Sequence, residues 1–166
     1  MGSMGIKGHI NSPIKVIMAH TTDTTPLVDI GYYAAVSAAI QKEATRLLSA
    51  GTVSAVIGYL PGRRKGTAVP AIVTTPEEAH GLVFAPACVN NLALYLTKAK
   101  KDVPKKGRIA IVAKGCDMRA LAGLMGESQL KREELVIIGV ACAGVHGSGV
   151  QPAGPLTAAT IARKCR

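Results

Sequence analysis

Two short runs constrain the fold more than anything else in the chain: Arg108-Ile-Ala-Ile-Val-Ala113 and Leu135-Val-Ile-Ile-Gly-Val140 are apolar at nearly every position. A strand with one face in water alternates apolar and polar residues, whereas a strand covered on both faces has no need to. Runs of this length and β-branched content are too short for buried helices and far too short to cross a bilayer. They belong in the middle of a sheet with helices packed on either side.

The segments between them carry the helical period. Tyr33, Val36, Ile40, Ala44, Leu47 and Leu48 recur at helical spacing, and Gly51 stands where a left-handed cap belongs. Asp117 to Gln129 is expected to be helical with Leu121, Leu124 and Met125 inward, Asn90 to Leu96 likewise, and Leu156 to Arg163 to form a helical turn. Thr75-Pro76-Glu77-Glu78 combines an N-cap, a proline at the first helical position and a capping-box glutamate. Ile14 to Met18, Val53 to Tyr59, Val69 to Val73 and Leu82 to Phe84 are further strands in this reading. The alternation predicts an α/β fold, a mostly parallel sheet with helices on both faces, formed as a single domain by residues 12–166. Residues 1–11, opening Met1-Gly2-Ser3-Met4, read as a tag or disordered leader.

Composition narrows the function classes. A 166-residue chain buries enough surface to fold without disulfide staples, and 48% hydrophobic residues exclude intrinsic disorder. The absence of a long apolar run or a signal-like start predicts a cytoplasmic protein with no membrane partner. Twenty Lys and Arg against ten Asp and Glu give a net charge of +10. Arg63, Arg64 and Lys65, and the run from Lys98 to Lys106, could bind nucleic acid through phosphates, but four Tyr, one Phe and no Trp leave no base-stacking platform. An acidic protein partner or an anionic cofactor accounts for the charge without one. Gly58-Tyr-Leu-Pro-Gly-Arg-Arg-Lys-Gly66 could cradle a phosphate with Arg63 and Arg64, although loops of this kind are more often surface turns. His20, His80 and His146 have no triad partners at interpretable spacing.

The four cysteines carry the strongest chemical signal. Cys88, Cys116 and Cys142 each follow an expected strand, at the sheet edge where open α/β proteins bind ligands, and Cys165 is a fourth. Four thiolates meet the needs of an iron–sulfur cube, while a free cysteine that packs as a small hydrophobe is the bland alternative for each, and no C-x-x-C pair is present. Lys114-Gly115-Cys116-Asp117 places one thiol at a strand-to-helix turn, where helix amides and a lysine stabilise a thiolate.

Ala113-Lys-Gly-Cys-Asp-Met-Arg119, Gln129-Leu-Lys-Arg-Glu-Glu134, Val136-Ile-Ile-Gly-Val-Ala-Cys142 and Phe84-Ala-Pro-Ala-Cys-Val-Asn-Asn-Leu92 together resemble the beta-subunit family of coenzyme F(420)-reducing hydrogenases and dehydrogenases. The resemblance spans about Val53 to Cys165. It implies an electron-transfer module with a 4Fe–4S cluster on Cys88, Cys116, Cys142 and Cys165, and a redox protein or other oxidoreductase subunits as partners, with a homo-oligomer as a further option. Asn90, Asn91, Lys114, Asp117 and Arg119 are then expected at the cofactor edge, joined by Arg63 and Arg64. Family members continue with a further cysteine and a second half, whereas this sequence stops at Arg166, which weakens the expectation of bound FAD or deazaflavin. The competing reading is a basic α/β module that binds an anionic ligand or nucleic acid, its cysteines merely buried.

Overall fold

A computed structural model describes residues 15–17, 30–96, 107–147, 156 and 161–165. The leader 1–11, the polar segment from His20 to Pro26 and the basic run from Lys98 to Lys106 lie outside these residues. Strands β1 (Lys15–Ile17), β2 (Val53–Pro61), β3 (Ala68–Val73), β4 (Arg108–Ala113) and β5 (Leu135–Val140) form one sheet in the order β1-β5-β4-β2-β3. β5 pairs in parallel with both β1 and β4, and β4 in parallel with β2. Among the described strands of this sheet, only the β2–β3 hairpin is antiparallel.

The two runs that dominated the sequence reading occupy the centre. β5 is buried at all six positions and β4 at every position after Arg108, as expected of strands covered on both faces. Helices α1 (Ile30–Ser49) and α3 (Gly115–Gly126) flank the sheet, with the single turn α2 (Pro76–Ala79) between β3 and β4 in sequence. Val36, Ile40, Ala44 and Leu47 of α1 are buried, and Gly51 has the left-handed φ of +62° that a cap after the helix requires. Thr75 and Glu78 close the expected capping box around α2.

β3 is an edge strand, and its Pro70 stands opposite Tyr59. The Tyr59 carbonyl points away from β3, accepting from Val83 N at 2.9 Å, so the donor that Pro70 lacks would have faced the open edge. A proline there interrupts the row of free amides that would recruit another strand.

Four expectations change. Leu82 to Phe84 is not a strand: Phe84 N donates to Ser37 Oγ at 2.8 Å and Gln41 Nε2 donates to Leu82 O at 2.8 Å. Side chains of α1 thus take up peptide groups that a ladder would need. The helix expected over Asn90 to Leu96 begins only at residue 93 within the described chain. Asn91 Oδ1 accepts from Ala93 N at 3.0 Å, so Asn91 serves the start of that helix instead of lying within it. α3 starts two residues before Asp117, because extended Lys114 is its N-cap, and ends at Gly126 ahead of left-handed Ser128. Near the C-terminus, Ile161 forms an antiparallel bridge with His146, and the helical turn is a 3-10 turn at Arg163–Cys165; residues 157–160 lie outside the described chain.

Candidate functional site

In a parallel sheet the loops that follow the strands collect along one edge, and that is where the cysteine-bearing segments meet. Cys116 is the second residue of α3, immediately beyond β4, and Cys142 lies two residues beyond β5. The tail residues 161–165 are laced to the loop after β5 by the His146–Ile161 bridge and by Ala162 N donating to Val145 O at 2.8 Å. Gly144, with φ +128°, makes that approach possible, because a Cβ there would lie 2.5 Å from Ile161 Cδ1. The Cys88 loop joins the same assembly through His146 N, which donates to Pro86 O at 2.8 Å, and through Lys164 Nζ, which donates to Val89 O.

Cys116, Cys142 and Cys165 line one hollow of about 200 Å³, together with Lys114, Arg119 and Lys164. All three thiols are half-buried. Burial raises the pKa of Cys142, and its neighbours Cys165 and Cys116 push in the same direction. A backbone hydrogen bond at Gly144 and the positive charge of Lys114 oppose that shift.

Lys114 is fixed beneath this hollow and is almost wholly buried. Its ammonium donates to the Asn90 carbonyl at 2.9 Å and to the Tyr59 hydroxyl, pairs with Asp117 Oδ2 at 3.1 Å, and sits 4.6 Å from the centre of the Tyr59 ring. Asp117 in turn accepts from the backbone of Lys114 and of Leu92, each at 2.9 Å. Its carboxylate thus ties the turn after β4 to the segment that follows Cys88. Burial is the main force that raises the Tyr59 phenol, with the Asp117 charge second.

The expected site residues therefore separate into groups. Lys114 and Arg119 line the hollow with three of the cysteines. Asp117 is wholly buried, its oxygens engaged by protein donors. Asn90 contributes its carbonyl, and Asn91 Nδ2 reaches the Cys116 carbonyl at 3.5 Å. Arg63 and Arg64 are exposed in the β2–β3 turn, on the same sheet edge but outside the lining of the hollow. Cys88 stands apart: it is wholly buried, its sulfur accepts from Ala85 N at 3.3 Å, and burial pushes its thiol up to about 12. Sequence reasoning missed the roles of Tyr59, noticed only as part of the Gly58–Gly66 loop, and of Lys164; the end of β2 brings the first here and the tail's contacts with the loop after β5 bring the second.

In kind, the donors suit an iron–sulfur cluster, and in placement three of the four share one hollow. Among the described residues, however, no three His, Cys, Asp or Glu side chains stand close enough together to hold a metal ion. The arrangement is convergent without being a closed coordination sphere.

No family model and no curated protein matches the chain. Its fold is similar to that of a chain in a xenon-derivatised structure of the F420-reducing [NiFe] hydrogenase complex from Methanosarcina barkeri, with a TM-score of 0.56 and 13% identity over 66% of this chain. The matched part spans 38% of that longer chain. At this identity the likeness is one of fold.

Proposed function

We propose that this domain is an electron-transfer module of an oxidoreductase, with Cys116, Cys142 and Cys165 as ligands of an iron–sulfur cluster and Cys88 as the fourth candidate. The observation that carries the proposal is the convergence of three thiols from segments far apart in sequence into one hollow at the carboxyl edge of a parallel sheet. The fold likeness to a chain of a hydrogenase complex supports it. Once bound, a cluster of this kind supplies one-electron storage close to the surface. The chain's own residues supply the setting. Lys114 places a fixed positive charge beside the thiols, which favours their anionic, ligating form. Asp117 and the Tyr59 hydroxyl hold that charge in place. Gly144 lets the tail bring Cys165 to the loop that bears Cys142. A flavin or deazaflavin would meet Arg119 and Lys164 as cations at the rim.

Protein purified without oxygen and reconstituted with iron and sulfide should hold both and show broad visible absorption. Exchange of Cys116, Cys142 or Cys165 for Ser should reduce bound iron by more than half, and Cys88→Ser should do so only if the buried thiol is recruited as the fourth ligand. Iron-free, colourless protein after reconstitution would refute the proposal. The remaining reading would then be an anion-binding hollow, favoured by the same Arg119 and Lys164.

A further inference from the structure

The parallel strand order sorts the charges of this chain as well as its cysteines. β2, β4 and β5 all end at the same edge, so the β2–β3 turn, the start of α3 and the tail beside the loop after β5 stand together there. These segments expose Arg63, Arg64, Lys65, Arg119, Arg163 and Lys164. Among the described residues none of the six is ion-paired, and Lys164 has only a hydrogen bond to a carbonyl. Of the described carboxylates, all but Asp117 lie elsewhere. Glu127 follows the far end of α3 and Glu133 and Glu134 immediately precede β5, all at the amino edge. Glu77 and Glu78 follow β3, whose last residue Val73 pairs near the start of β2, and Glu43 lies in α1 against Arg46. The one described carboxylate at the carboxyl edge, Asp117, is wholly buried against Lys114. At the opposite edge Arg108, Lys131 and Arg132 are interspersed with acids.

We infer that this carboxyl edge is a docking face for the acidic surface of a small soluble electron-carrier protein. The charge asymmetry belongs to the fold itself; the identity of the partner as an electron carrier rests on the electron-transfer reading of the hollow that the face surrounds. A one-sign rim around a recessed site steers an oppositely charged partner and fixes its orientation over that site. A protein partner is favoured over nucleic acid because none of the five described aromatic residues is exposed: Tyr33, Tyr59 and Phe84 are buried, and Tyr32 and Tyr95 are half-buried, the Tyr32 hydroxyl donating to Ala141 O.

The test compares two charge reversals of equal size in the full chain, Arg63→Glu/Arg64→Glu at the carboxyl edge and Lys42→Glu/Lys131→Glu at exposed positions away from it. Binding of an acidic plant-type ferredoxin is measured by titration at several salt concentrations, with bound iron assayed in every sample. The expected result is salt-sensitive binding that the first variant weakens by roughly tenfold or more and the second barely changes. Equal weakening by both would reduce the effect to net charge and overturn the proposal, as would no binding by iron-loaded wild type, or tighter binding of labelled single-stranded or duplex DNA than of the ferredoxin at the same salt. Iron-free protein that still binds the ferredoxin through Arg63 and Arg64 supports the face while removing the electron-transfer reading, so the two fail separately.

Discussion

The exchange of Asp117 for Ala removes the anion of a pair whose side chains are 2% and 0% exposed, and with it the acceptor of two buried amides, Lys114 N and Leu92 N. Loss of one partner from a buried ion pair typically costs about 3–5 kcal/mol, because the other charge stays in a medium that solvates it poorly. The stranded amides add to this, although the contributions share one network and do not sum. A loss of about 4–5 kcal/mol is therefore expected, a large part of the ~5–15 kcal/mol that holds a domain of this size together. Lys114→Met is milder, about 2–3 kcal/mol. It takes away the ammonium and its contacts with Tyr59 and Asn90, yet leaves Asp117 its two backbone donors. In urea, with a slope of about 2 kcal/mol/M, the midpoint should fall by about 2 M for Asp117→Ala and about 1 M for Lys114→Met, followed by circular dichroism. A shift under about 0.5 M for Asp117→Ala, or a larger one for Lys114→Met than for Asp117→Ala, would refute the view that this carboxylate joins the turn after β4 to the segment that follows Cys88.

Two further outcomes follow from the packing. Gly58→Ala would place a Cβ 2.7 Å from Leu82 Cδ2, inside a fully buried contact, and should destabilise by about 1–3 kcal/mol, whereas Gly123→Ala, exposed in α3 with no atom within 4 Å of the new carbon, should stabilise by about 0.5–1 kcal/mol; thermal melts that fail to move in opposite directions would contradict this. Tyr33 buries a hydroxyl that has no hydrogen-bond partner, so Tyr33→Phe should stabilise by about 1 kcal/mol at neutral pH. Burial holds the Tyr33 and Tyr59 phenols above their ordinary value near 10, so their contribution is intact below that pH and is lost as alkali drives them to ionise; the same Tyr33→Phe variant should flatten the fall of the urea midpoint above pH 10, and an unchanged slope would exclude Tyr33 from it.

Much of the sheet is legible in the sequence because burial on both faces leaves a local mark. β4 and β5 carry uninterrupted apolar runs at the residues where the strands form, and α1 carries its period and its glycine cap. The failures occur where a distant side chain decides the outcome. Leu82 to Phe84 has strand composition, but Ser37 and Gln41, about 40 residues earlier, take up its backbone groups. Likewise, Gly58 resembles the start of a phosphate loop in one dimension, and in three it is the space into which Leu82 packs.

The same distinction separates the cysteines. Cys116 and Cys142 are placed by strand ends that lie within a few residues of them, so their convergence can be read from spacing once parallel order is assumed. Cys88 was expected to follow a strand that does not exist, and its loop instead approaches from the side of α1, turning the sulfur toward Ala85 N inside the core. Cys165 reaches the hollow through Gly144, the His146 bridge and Lys164, contacts that no local pattern encodes. What unites the four segments is the edge itself. A parallel sheet delivers every post-strand loop to one side, so thiols and cations scattered along the sequence are gathered into one neighbourhood, while the acids that precede strands or close helices are carried to the other. Reversing the direction of β4 alone would remove Cys116, Lys114 and Arg119 from that edge together, which makes strand direction, more than any single motif, the property on which both the hollow and its basic rim depend.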